Sequence, residues 1–162
     1  MVLMVLLVKI PNTVGNEQNL CPISEDIHEI RRHFKSIKDT LHSKDKITDV
    51  ILLKANKLNN IQSSEKCCFL LELGRFYVEN VFSNVTFDQL EERRGLHHLA
   101  NSFLGLKIEL KHCHSTMRCN CGKESHQVMK DFKDDYYKLD TKAAALKAVG
   151  DLNILFHWME KK

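Results

Sequence analysis

Cys67-Cys68-Phe69-Leu70-Leu71-Glu72-Leu73-Gly74-Arg75-Phe76-Tyr77-Val78-Glu79-Asn80-Val81-Phe82 is the stretch whose reading decides the fold. Cys67, Leu71, Gly74, Val78 and Val81 recur at steps of four and three, and Phe69, Leu73 and Phe76 form a second stripe. A helix that is apolar on more than one side belongs at the centre of a bundle, and the pattern carries it from about Ser64 to Phe82. Gly74 within it costs about 1 kcal/mol relative to Ala, which points to a neighbouring backbone approaching closely there. The adjacent cysteines would close a strained ring with each other, so each should cross-link elsewhere.

Helical periodicity continues on both sides. Upstream, Ile23, Ile27, Ile30, Phe34, Ile37 and Leu41 make one stripe, with Ser24 as the expected N-cap and Glu25 and Asp26 near the positive end of the helix dipole. Ser43 to Asn60 reads as a long structured connection, turn-prone around Ser43-Lys44-Asp45-Lys46. Downstream, helices are expected from about Leu90 to Lys111, from Glu124 to Leu139 and from Thr141 to Glu160. Both prolines, Pro11 and Pro22, precede the first helix, and no stretch alternates convincingly with period two. The class is therefore all-α.

The chain has 162 residues and six cysteines: Cys21, Cys67, Cys68, Cys113, Cys119 and Cys121. Ser83 to Gln89 is short enough to make the flanking helices antiparallel, which brings Cys67 and Cys68 to the same end of the bundle as Cys113, Cys119 and Cys121. The order of the partners is left open by this geometry. Zinc competes with disulfides here, because His112, Cys113, His114, Cys119, Cys121 and His126 crowd one loop, yet there is no C-x2-C pair and Cys119-x-Cys121 has an awkward bite for a tetrahedral ion. A disulfide knot is the preferred reading, with no metal and no cofactor.

Catalysis finds no footing in the sequence. HExxH, GxSxG, P-loop and GxGxxG motifs are absent, paired cysteines leave no thiol nucleophile, and the neighbours Asp134-Asp135 and Glu91-Glu92 diverge on a helix. His97-His98 reads as a surface pair. A net charge of +3, from 24 basic and 21 acidic residues spread along the chain, argues against nucleic acid. Met1 to Val8 is apolar but shorter than the ~20 residues of a spanning helix, so no stable membrane insertion is expected. Residues 1–20 read as a separate N-terminal segment, a remnant or atypical signal peptide, and 21–162 as a single domain. Asn84-Val85-Thr86 is an N-glycosylation sequon in an expected turn.

Residues 67–82, Leu99 to Leu104, Cys113-His114-Ser115-Thr116-Met117-Arg118-Cys119-Asn120-Cys121 and Ala145 to Lys161 together resemble the interleukin-10 family, most closely its interleukin-19, -20 and -24 branch. The resemblance runs in order from Cys21 to Lys161. It implies a secreted, compact monomeric bundle of about six helices, stapled by Cys21–Cys113, Cys67–Cys119 and Cys68–Cys121. It also implies a cytokine that joins two class II cytokine receptor chains, of the interleukin-20 receptor type, and activates Janus kinases and STAT factors. One receptor surface would map to Ser43, Lys44, Asp45, Lys46, Lys147 and Asp151, the other to His28, Arg31, Lys35, Lys107 and Lys111. The alternative is a secreted helical decoy that binds without signalling. Gly74, Arg93-Arg94 and the apolar start depart from the branch's pattern and leave the receptor pair open.

Overall fold

The computed structural model describes residues 24–47, 49–117 and 121–160. Helix α1 (Ser24–Lys44) is followed by a connection carrying the single turn α2 (Ala55–Leu58). A 3-10 turn, Ser63–Glu65, leads into α3 (Lys66–Phe76), which runs on through a π-helical turn, Tyr77–Val81, and a 3-10 turn, Phe82–Asn84. Then come α4 (Leu90–Met117), α5 (Lys123–Lys138), α6 (Thr141–Gly150) and α7 (Leu152–Met159). With α6 and α7 taken as one helix interrupted at Asp151, the described residues form six helices and no strand.

Helix α3 is central, as its two apolar stripes require. Cys67, Cys68, Phe69, Leu70, Leu71, Leu73, Gly74 and Phe76 are all buried. Its aromatic side chains reach two other helices: Phe69 meets Trp158 of α7 edge-on at 5.7 Å, and Phe76 meets Phe132 of α5 at 5.6 Å. Tyr77, just past its end, stacks on Phe103 of α4 at 5.6 Å. The Tyr77 hydroxyl is deep in the core, where an unpaired polar group is costly, and it donates to the Ala148 carbonyl of α6 at 2.7 Å. Burial holds its pKa well above 10.0, so it remains a donor.

Helix α1 buries Ile27, Ile30, Phe34, Ile37 and Leu41 and lies antiparallel along α4. The register of that seam is fixed by three contacts. Ser102 donates to Glu29 at 3.3 Å, His33 stacks on His98 at 5.4 Å, and Thr40 donates to Glu92 at 3.1 Å.

Several boundaries differ from the sequence reading. Ser24, expected as a cap, is already helical, and α1 continues through Ser43 and Lys44, since no Gly or Pro stops it. Helix α4 extends through Met117, so His112 and Cys113 lie on a helix and not in a loop. The largest correction concerns Gly74, where a Cβ would meet no atom within 4 Å. The close approach is at Gly95 on α4, where a Cβ would overlap the Ile37 Cγ2 methyl of α1.

The two glycines should therefore respond oppositely to alanine. Gly74→Ala should raise the unfolding free energy by roughly 0.5–1 kcal/mol through helix propensity. Gly95→Ala should lower it by about 1–3 kcal/mol through overpacking of the α1–α4 seam. Urea midpoints at constant m-value check both, and shifts of the same sign would contradict this packing.

Candidate functional site

Asp45, Lys147 and Asp151 converge where the connection after α1 passes the junction of α6 and α7. Lys147 is only 8% exposed, and an ammonium so placed must be neutralised and hydrogen-bonded. Its Nζ donates to Asp45 Oδ2 at 3.0 Å and to the Ile47 carbonyl at 2.8 Å. Asp151 Oδ2 accepts from the Leu52 amide at 2.8 Å, and the Leu53 amide also donates to this carboxylate. Burial raises the Asp151 pKa above its ordinary value; the two amides and the nearby Lys147 charge act against that rise.

The next stretch of the connection is tied to α5. Lys54 pairs with Asp135 at 3.1 Å and Lys57 with Asp131 at 2.7 Å. The hydrogen bond from Lys57, aided by Gln127, holds the Asp131 carboxyl below its usual range. The cleft beneath these pairs, lined by Leu52, Leu53, Val128 and Phe132, has room for about 10 Å³, one water molecule rather than a substrate.

The residues of the first expected surface differ in exposure. Ser43, Lys44 and Lys46 are exposed, whereas Asp45, Lys147 and Asp151 turn inward and hold the connection in place. Of the second set, His28, Arg31 and Lys35 recur at steps of three and four along one face of α1, where Arg31 pairs with Glu160 and lies 5.9 Å from the Phe156 ring. Lys107 and Lys111 belong to α4.

At the other end, Cys67, Cys68 and Cys113 form a buried cluster. Cys68 and Cys121 are joined in a disulfide with Cα atoms 5.3 Å apart, and Cys67 and Cys113 each take part in a disulfide of their own. These four sulfurs are therefore neither thiolate ligands nor nucleophiles. Cys21 and Cys119 lie outside the described residues, as does the chain before Ser24. Asn84 sits in the 3-10 turn, half-buried, with Nδ2 donating to the Asn80 carbonyl at 2.6 Å.

Glu65 was not singled out by the sequence. It is 4% exposed, and its carboxylate accepts from the Ser125 amide at 3.0 Å, capping α5 from another element. Gly122 makes room for it, since a Cβ there would overlap the Glu65 carboxyl. Nothing local in Ser64-Glu65-Lys66 marks such a role, because the partner is 60 residues away.

Residues 11–162 match the interleukin 10 family, a span that starts upstream of Cys21. Interleukin-20 of Mus musculus is 36% identical over 142 residues, covering 87% of this chain and 81% of that protein. Interleukin-19 of Homo sapiens is 32% identical over 142 residues, covering 87% and 80%. The crystal structure of human interleukin-19 superposes with a TM-score of 0.77 at 30% identity, covering 88% of this chain and 92% of that one. Among the described residues, no helix is long and apolar enough to cross a membrane.

Two measurements test the inward-facing charges. Lys147→Met should leave Asp45 and the Ile47 carbonyl without their donor and cost about 1–3 kcal/mol of stability, read from denaturant midpoints. Because the Asp151 pKa is raised in the fold, its titration contributes stability below 3.8 that is lost as pH rises through the raised value. Wild-type stability relative to Asp151→Asn should therefore fall with rising pH over that window. Parallel melting-temperature profiles for the two proteins would refute the assignment.

Proposed function

The chain belongs to the interleukin-10 family, and from that premise we propose that it is a secreted cytokine of the interleukin-20 subfamily that joins two class II cytokine receptor chains of the interleukin-20 receptor type. Bringing the chains together would activate Janus kinases and STAT factors. The family is one of cytokines, so the chain is not an enzyme. The observation that carries the reading is the likeness along nearly the whole chain to interleukin-20 and interleukin-19, in sequence and in fold.

In this reading the bundle is a rigid monomeric spacer. The exposed Ser43, Lys44 and Lys46 contribute to one receptor surface, and His28, Lys35, Lys107 and Lys111 to the other. Arg31 contributes to the second surface, and Asp45, Lys147 and Asp151 support the first from within. Cys21–Cys113 and Cys67–Cys119 complete a knot with Cys68–Cys121, residues 1–20 direct export, 21–162 form the cytokine domain, and Asn84 carries a glycan. The inward-facing charges favour this division, because few residues of an interface carry most of its energy and the rest hold shape.

The deciding experiment is a binding panel of class II receptor ectodomains, singly and in pairs, followed by STAT phosphorylation in cells bearing the pair that binds. Binding to a pair with STAT phosphorylation is expected. A protein that binds a pair and leaves STAT unphosphorylated is a decoy, and one that binds no member of the panel is not a ligand of this receptor class. Peptide mapping without reduction should recover the three bridges from secreted material. Closing a loop as long as Cys21 to Cys113 is worth roughly 4–5 kcal/mol, so reduction should lower the melting temperature strongly while helical segments persist.

A further inference from the structure

His33 of α1 and His98 of α4 stack across the seam between their helices, with ring centroids 5.4 Å apart and ring planes 22° apart. The backbones beneath the stack are held on both sides. Toward one end, Gly95 admits the Ile37 methyl against α4; toward the other, Ser102 donates to Glu29 at 3.3 Å. Beyond rotation about their own side-chain bonds, the two rings therefore separate only if α1 shifts against α4.

Imidazole is the side chain whose charge ordinarily changes between about pH 5 and 8. Two neutral rings stack without cost, whereas two imidazolium rings this close repel, and the groups around them decide how much of that repulsion is offset. Of the charges acting on His33, the Glu29 carboxylate favours its protonation, while Arg32 and His98 oppose it. On α4, Arg94 and Ser102 lie one turn either side of His98, and the His97 ring is 6.3 Å from it. Glu92, further along the seam, accepts from Thr40. On the other flank of α1, α6 brings Lys147, bound to Asp45, and α7 brings Glu160, paired with Arg31. Glu29 thus faces two imidazoles and Arg32, too little negative charge to balance them once both rings are protonated.

Burial, and then the Arg32 charge, hold the His33 pKa below 6.5. A histidine lowered by the fold contributes stability that is full above 6.5 and is lost as pH falls through that value toward the lowered one. This is opposite in sign to the Asp151 effect, so the two are separable.

We propose that the His33–His98 stack is an acid-sensitive latch on the α1–α4 seam, closed while the rings are neutral and loosened when both carry a proton. The latch itself needs no partner. Its consequence for a receptor complex rests on the receptor reading above: His28, Arg31 and Lys35 lie on α1, so acid that loosens the seam loosens that surface too.

The test is amide exchange of the full chain at about pH 7.5 and about pH 5, corrected for the intrinsic pH dependence of exchange. Protection from Ile30 to Leu41 should fall roughly fivefold at the acid pH, more than in α3. His33→Gln combined with His98→Gln should remove most of that fall, and His98→Gln by itself, at an exposed ring, should reduce it. His157→Gln, at an exposed histidine of α7, should leave it unchanged. Equal protection at the two pH values in the wild type overturns the latch, as does a full fall that persists in both His98→Gln and the double variant. A second arm measures dissociation from the receptor ectodomain that the wild type binds; it should quicken at the acid pH, and less so in His98→Gln. A loosened seam with unchanged dissociation overturns the consequence for the receptor and leaves the latch. A wild type that binds no class II ectodomain overturns the receptor reading, while the exchange result still decides the latch.

Discussion

Helix α3 has almost no face that water can solvate, and every other element takes its place by covering it or by covering what covers it. Burying a helix on all sides is favourable only if its neighbours supply apolar surface in every direction, at roughly 25 cal/mol per Å² removed from water. Trp158 closes one side through Phe69, Phe132 another through Phe76, and Phe103 a third through Tyr77. Helix α1 closes the bundle along α4, in a seam tight enough to need glycine at position 95. The Tyr77 hydroxyl, a polar group inserted into this centre, spans to the carbonyl of Ala148 and so ties α6 to the run that continues α3.

Charged groups hold the periphery in a different manner. The connection from Asp45 to Leu58 has few residues in regular structure, so little of its backbone is fixed by hydrogen bonds within a helix. It is held by Lys147, Asp151, Asp135 and Asp131, each reaching across from α5, α6 or their junctions. Surface pairs contribute little to stability, but a half-buried set with several hydrogen bonds fixes one conformation among many. Stability comes from the centre, and the shape of the outer surface from these ion pairs.

The helices were legible in the sequence because a stripe repeated every three or four residues identifies both a helix and its buried face, as for Ile30, Phe34, Ile37 and Leu41. The gathering of Cys67, Cys68 and Cys113 at one end followed from short connections alone. What periodicity cannot show is which residue on another helix lies opposite. Gly74 and Gly95 both sit inside helical patterns, and only the register of α1 against α4 distinguishes the one that needs no side chain. Lys147 and Asp151 fall on a receptor surface only through the family resemblance; their inward orientation depends on a partner about 100 residues away. Glu65 was overlooked for the same reason.

Gly122 and Glu65 are coupled in a way that bears on how this sequence can drift. Any side chain at position 122 would displace the Glu65 carboxyl and leave the first turn of α5 without its acceptor. Once Glu65 is replaced by a smaller residue, the space it occupied no longer excludes a Cβ at 122. The two positions therefore have a preferred order of change: a substitution harmful at 122 while Glu65 is present becomes tolerable after 65 has changed. In descendants of this chain, a non-glycine at 122 should mark lineages that had already lost the acid at 65.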